Sequence, residues 1–241
     1  MHRKTIQRPS VRDALPVELA WLRVLESTQF SGIADDFRHR KLGSGVSNHA
    51  ILLPMAMNIR FDEAKATQAA AYFLGLRGGQ MHYIKLIKLL YLADRAALLR
   101  WGAPISTDRH VSMDNGPVLS KVLSLITDEC PKPVWSEYIS VPLGEYEVRL
   151  LKPGATDRLS RAEENLMREI FDLYGHRNRW DLIDNVMHKL PEWQNPNGSA
   201  IPITFRDILK AGGESEDEIH AVLKELRSFA SDEERFARVY A

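Results

Sequence analysis

The residues best suited to chemistry lie close together between positions 94 and 114: Asp94, Asp108, His110 and Asp114. Carboxylates beside an imidazole can exchange protons with a substrate, provided a cleft brings them together. The rest of the sequence supplies few of the partners such work needs. His82, His110, His176, His188 and His220 fall into no His-Glu-x-x-His or mixed Cys/His spacing, so no metal centre is expected. No Gly-x-Ser-x-Gly elbow presents a serine nucleophile. The single cysteine, Cys130, sits between Glu129 and Pro131, with no cation beside it to favour the thiolate. Asp114-Asn115-Gly116-Pro117-Val118 lacks the further glycines and the Lys-Ser/Thr pair of a phosphate cradle. Neither catalysis nor a cofactor is expected; a hydrolase built on the Asp94, Asp108, His110 and Asp114 cluster is the enzymatic alternative.

Composition narrows the classes further. A chain of 241 residues with 44% hydrophobic and 27% charged residues can bury a substantial core and stay dissolved. Lys plus Arg equals Asp plus Glu at 32 each, so no overall positive field gathers a phosphate backbone. One cysteine allows no internal disulfide, which fits a reducing cytoplasm. No uncharged apolar run approaches the roughly 18 residues of a membrane span. Met1-His-Arg-Lys-Thr is followed by polar and charged residues, not by the apolar stretch of a secretory leader. A cytoplasmic protein without a membrane partner is expected.

These residues need elements to hold them, and the pattern of the chain supplies mostly helices. Residues 1–56 alternate polar, Arg-rich and Gly/Ser-rich pieces and read as a weakly ordered N-terminal extension. From Met57 the folded domain begins, running to residue 241. Asp62 and Glu63 start a first helix that Gly78-Gly79 breaks. A second runs from about His82 to Trp101 and ends at Gly102 and Pro104. Pro117 suits the first position of a third helix reaching about Thr127, because its missing N–H would have no partner there. Trp135–Val141 and Tyr146–Leu151, rich in β-formers around Pro142-Leu-Gly144-Glu, read as a small hairpin. Ser160-Arg-Ala-Glu163 is a capping box for the next helix, and Asn178–Leu190 gives another. Thr204 caps a short turn, Gly212-Gly213 interrupts it, and Ser215-Glu-Asp-Glu218 opens a final amphipathic helix. The expected fold is mainly α with a small β-hairpin, an α+β domain forming one compact helical body.

On the second helix, Lys85, Lys88, Asp94, Arg95 and Arg100 read either as a solvated charged face or as a rim around an apolar groove. Tyr91, Trp101, Trp135 and Tyr138 are then either core residues or anchors for a partner. His188, close in sequence to Trp193, reads as a structural hydrogen-bonder, with the Trp193 ring anchoring the C-terminal part. Nucleic acid is the rival partner. His176-Arg177-Asn-Arg179-Trp180 sets cations beside an aromatic ring, and the helices around Gly212-Gly213 are spaced somewhat like a helix-turn-helix. Glu214, Glu216, Asp217 and Glu218 crowd the start of the second of those helices and would repel phosphate, which weighs against DNA. A DNA-binding transcriptional regulator stands as the alternative.

Taken together, Lys88-Leu-Leu-Tyr91-Leu-Ala93 with Asp94 and Arg95, Gly102-x-Pro104-Ile105, Asn115-Gly116-Pro117-Val118, Leu159-Ser160, and His188 with Trp193 make a pattern that resembles the Panacea domain, also called the SocA-like antitoxin domain. The resemblance covers about Phe61 to Trp193. Members often carry a Tyr just before Gly-Pro-Val, where this chain has Asn115. The resemblance implies an antitoxin that neutralises a cognate protein toxin by direct binding. One branch of the family looks like an adaptor that presents its toxin to a Clp-type protease. It also implies a partner-binding or family-motif role for Lys88, Tyr91, Asp94, Arg95, Asn115, Gly116, Pro117, Val118, His188 and Trp193.

Overall fold

The computed structural model describes residues 60–127, 132–140 and 146–239. The extension expected over residues 1–56, Cys130 and the Pro142–Glu145 turn lie outside the described residues. Helix α1 (Glu63–Leu76) starts where expected, with the Asp62 side chain accepting from Lys65 N–H at 3.0 Å. It stops where Gly78 and Gly79 take φ of +91° and +95°. A short strand, β1 (Gln80–His82), leads into helix α2 (Tyr83–Trp101). The His82 ring accepts from Ile84 N–H at 3.2 Å, and Gly102 at φ +75° returns its N–H to Leu98 O.

Helix α2 is the axis of the body. Thirteen of its nineteen residues are buried, including every residue from Lys85 to Arg95. It packs on α1, on helix α5 (Arg161–Tyr174), helix α6 (Arg179–Asn185) and helix α7 (Phe205–Ala211). With no solvent-facing side along this stretch, Leu86, Ile87, Leu89, Leu90, Leu92 and Ala93 occupy the whole circumference. Each fully buried Leu or Ile contributes about 1.5–3 kcal/mol, so these residues offset the cost of carrying charges inward. The capping box at Ser160–Glu163 is formed, as is a second one at Thr204–Asp207. Helix α8 (Glu216–Val239) opens at Ser215, whose hydroxyl donates to Glu218 at 2.6 Å.

The β-structure differs from the expectation. Gly116-Pro117-Val118 does not begin a helix: it lies in strand β3 (Gly116–Leu119), which pairs with β2 (His110–Met113). Strand β2 also pairs with β5 (Ile201–Ile203), giving a three-stranded antiparallel sheet in the order β3-β2-β5. Pro117 is tolerated because β3 is an edge strand, where a missing N–H costs no ladder bond. Helix α3 begins three residues later (Ser120–Thr127). It is capped by Asp108, whose carboxylate accepts from Lys121 N–H at 2.9 Å and Val122 N–H at 2.8 Å.

The expected hairpin is present in part: an antiparallel bridge joins Ile139 to Leu150, with Ser140 N–H donating to Arg149 O at 2.9 Å and Leu151 N–H to Tyr138 O at 2.7 Å, while the start of its second strand pairs elsewhere. Trp135–Tyr138 forms a single helical turn, α4, with Glu63 accepting from the N–H groups of Val134 and Trp135. Strand β4 (Glu147–Arg149) also pairs with β1, with Met81 opposite Val148. The helix expected over Asn178–Leu190 is α6 followed by a 3-10 turn at Met187–Lys189. The fold class stands as α+β, mainly helical with small antiparallel sheets.

His82 carries a pH prediction. Burial, then the nearby Arg179 charge, holds its imidazole down at about 4 against an ordinary 6.5. The folded state therefore binds fewer protons than the unfolded chain between these values, and stability is lost as pH falls from 6.5 towards 4. Thermal midpoints measured across that window should fall with acid, and the slope should be shallower in His82→Asn, which keeps a capping side chain.

Candidate functional site: the polar spine of helix α2

The charged residues of α2 are not a solvated face, and Lys88 and Arg95 do not form an open rim. Lys88 is 1% exposed, Asp94 2% and Arg95 7%. Only Arg100, near the C-terminal end, reaches solvent, where it pairs with Glu169 at 2.9 Å. The reason is the helix itself: apolar residues all round its surface bury the stretch from Lys85 to Arg95, and its polar side chains are carried in with it. Each must then find a partner, because an unmet buried charge is costly.

Lys88 reaches the sheet. Its Nζ donates to Gly116 O at 2.9 Å and to Pro117 O at 2.8 Å, supplying hydrogen bonds along the edge strand. Burial holds its ammonium well below the ordinary lysine range. Either protonation state keeps at least two N–H donors for two carbonyls, so the link survives loss of the proton. Lys85 does the equivalent for α5, donating to Gly175 O at 2.5 Å and Arg177 O at 2.7 Å, where the helix leaves its last carbonyls.

Tyr91 and Arg95 meet an acid that the sequence did not single out. Tyr91 O–H donates to Glu192 Oε1 at 3.0 Å, and Arg95 Nε donates to the same oxygen at 2.6 Å. The Glu192 side chain is fully buried. Burial, then the Glu192 carboxylate, holds the Tyr91 phenol well above its ordinary range, so it remains a donor. The hint available in the sequence was a Tyr and an Arg four residues apart on a helix with apolar residues on every face, which require a buried acceptor.

Asp94 organises the loop that follows α2. Its Oδ1 accepts from Ile105 N–H at 3.1 Å and Ser106 N–H at 2.9 Å, and Oδ2 accepts from the Ser106 hydroxyl. His110 Nε2 lies 3.4 Å from Asp94 Oδ2 without making a hydrogen bond. Asp94, Asp108 and His110 do come together around Ser106, but all are buried and both carboxylates are occupied by backbone N–H groups. Asp114 lies apart, exposed at the β2–β3 turn. The proton-exchange cluster is therefore divided, and its buried part serves as a loop clamp.

The β2–β3 turn is clasped by the segment after α6. His188 Nε2 lies 2.9 Å from Asp114 O, and Trp193 Nε1–H donates to Met113 O at 3.0 Å. The His188 and Trp193 rings stack at 4.2 Å. Gly198 N–H donates to Asp114 Oδ1 at 2.9 Å. Asn115 is half-buried at the turn and Val118 is buried beneath it. Lys88, Gly116, Pro117, His188 and Trp193 thus meet around one turn, while Tyr91 and Arg95 meet Glu192 alongside. Of the proposed aromatic anchors, Tyr91 and Trp135 lie in the core, Tyr138 is half-buried and Trp101 is exposed.

Among the described residues no group of His, Cys, Asp and Glu is arranged to hold a metal ion, and no helix is long and apolar enough to cross a membrane. The helix-turn-helix comparison fares no better on charge. Glu216, Asp217 and Glu218 are exposed in the first turn of α8, and Arg206 of α7 is paired with Glu216.

A family profile described as "Antitoxin SocA-like, Panacea domain" matches residues 86–194. That span begins inside α2 and ends just past Trp193, so it contains every donor and acceptor that joins Lys88, Tyr91 and Arg95 to the turn and to Glu192. Neither a curated protein nor a solved structure matches the chain.

Proposed function

We propose that this chain, whose residues 86–194 match the SocA-like Panacea profile, is the antitoxin of a toxin–antitoxin pair, silencing a cognate protein toxin by direct binding and not by turnover of a substrate. The family match is the observation that carries this reading. The burial of the polar spine supports it: the family-pattern residues Lys88, Tyr91, Asp94, Arg95 and Trp193 are spent on holding α2, the loop after it and the β2–β3 turn together. A rigid scaffold of that kind suits a protein whose task is to present a surface. Helices α1, α7 and α8 lie outside the matched span yet pack onto α2 or onto each other, which supports a domain running from about residue 57 to the C-terminus.

The test is genetic and direct. The product of the adjacent open reading frame should arrest growth when expressed alone and be tolerated when this chain is co-expressed. The two proteins should also co-elute after purification. Toxin that persists in rescued cells indicates occlusion, and toxin that disappears unless a Clp-type protease is deleted indicates delivery for degradation. Failure of rescue by the folded, full-length chain would refute the antitoxin reading.

A further inference from the structure

We propose that the basic cleft beside strand β1 is the docking site for an acidic segment of the toxin, with Arg77 and Arg179 taking up its Asp or Glu carboxylates. The proposal deepens the antitoxin reading and rests on it. The cleft holds about 400 Å³ and is walled by Arg77, His82, Lys85, Arg177 and Arg179, with Glu147 as the acid in its lining. Four formal positive charges thus face one negative charge across a space open to solvent.

Two of the four cations are already engaged. Lys85 is committed to the carbonyls of Gly175 and Arg177, and Arg177 pairs with Asp181 at 3.1 Å. Arg77, exposed at the end of α1, and Arg179, half-buried at the start of α6, make no ion pair among the described residues. Their charge is nevertheless felt by the basic groups beside them: Arg77 adds to the lowering of the Lys85 pKa, and Arg179 adds to the lowering at His82. Positive groups that outnumber the acid beside them are an arrangement that an incoming carboxylate relieves, and guanidinium forks match that group's geometry.

The rim adds what protein interfaces use. Tyr146 is 48% exposed and Trp180 46% exposed, large rings left open to solvent. The Arg179 guanidinium lies 5.1 Å from the Trp180 ring, and Tyr146 packs against His82 and Tyr83 at 5.8 and 6.0 Å. Exposed aromatic rings beside arginine are the composition of binding hot spots. A nucleic-acid backbone fits less well. Its phosphates require a cationic track along a surface, whereas these cations converge on one cleft of an electrically neutral chain.

The probe is a fluorescently labelled octaglutamate peptide, followed by anisotropy against the full-length chain, with a single-stranded DNA octamer as the comparison. Saturable, salt-sensitive peptide binding is expected. It should weaken at least about tenfold in the Arg77→Glu/Arg179→Glu double variant and hold in Lys210→Glu, on a different helix. The double variant should also lose toxin neutralisation at an unchanged thermal midpoint. The milder Arg77→Gln/Arg179→Gln pair serves if charge reversal disturbs folding. Absent peptide binding, or binding indifferent to these arginines, overturns the proposal. Tighter capture of the DNA octamer through the same residues overturns it in favour of nucleic acid. Peptide binding lost while neutralisation persists leaves the antitoxin reading intact and removes the toxin from this cleft. A wild-type chain that binds peptide but rescues no cells refutes the antitoxin reading instead.

Discussion

Glu192→Ala should destabilise the folded chain by about 3–5 kcal/mol, the cost of breaking a buried ion pair by removing one partner. The Glu192 side chain has no exposed surface, and one of its oxygens serves both Tyr91 O–H and Arg95 Nε. Truncation deprives the guanidinium of its carboxylate and the phenol of its acceptor, while water has no easy route to either. The loss should appear as a lower denaturant midpoint with an unchanged slope. Glu192→Gln should cost less, since an amide oxygen still accepts from Tyr91 while the charge is lost. The paired change Arg95→Met/Glu192→Leu should recover much of the stability, because an apolar pair of similar volume often replaces a buried ion pair at little cost. A single-variant loss within about 0.5 kcal/mol, the range of ordinary surface changes, would mean that Glu192 is not the keystone of this contact.

That acid also marks where the sequence stops being legible. Helix boundaries could be read because the signals are local: Asp62, Ser160 with Glu163, Thr204 with Asp207, and Gly102 each act within one turn of the boundary they set. The polar spine could not, because its partners are remote. Lys88 bonds across 28 and 29 residues, Tyr91 across 101 and Arg95 across 97. Strand β2 meets β5 some 90 positions along the chain, so the three-stranded sheet left no short-range periodicity to detect. Pro117 misled for a physical reason. A proline after a turn is equally at home at a helix start and on an edge strand, and the choice is made by β2 and Lys88, not by the proline. The burial of the charges did leave a trace, in apolar residues filling every face of α2 between Lys85 and Arg95.

Gly116→Ala should be comparably damaging to loss of Glu192, by about 2–6 kcal/mol when the cost of a strained left-handed backbone is added to that of overpacking. Gly116 sits at φ +86°, outside the comfortable range of L side chains. An added Cβ would lie 2.5 Å from Met187 Cβ and 3.3 Å from its Cγ. The contact is with the root of the methionine side chain, which cannot swing away without moving the 3-10 turn at Met187–Lys189. That turn carries His188, bonded to Asp114 O, and Gly116 O itself receives the Lys88 ammonium. A shift of the turn in either direction therefore strains the clasp on one side or the lysine bond on the other. Met187→Ala leaves the clashing Cβ in place, so combining it with Gly116→Ala should restore little, whereas Met187→Gly should remove the steric part and leave the backbone part. Urea titration of the two double variants separates these contributions. Wild-type stability in Gly116→Ala alone would show that the β2–β3 turn and the Met187 segment can move apart freely, and the coupling of Lys88, the turn and the His188–Trp193 clasp would fall with it.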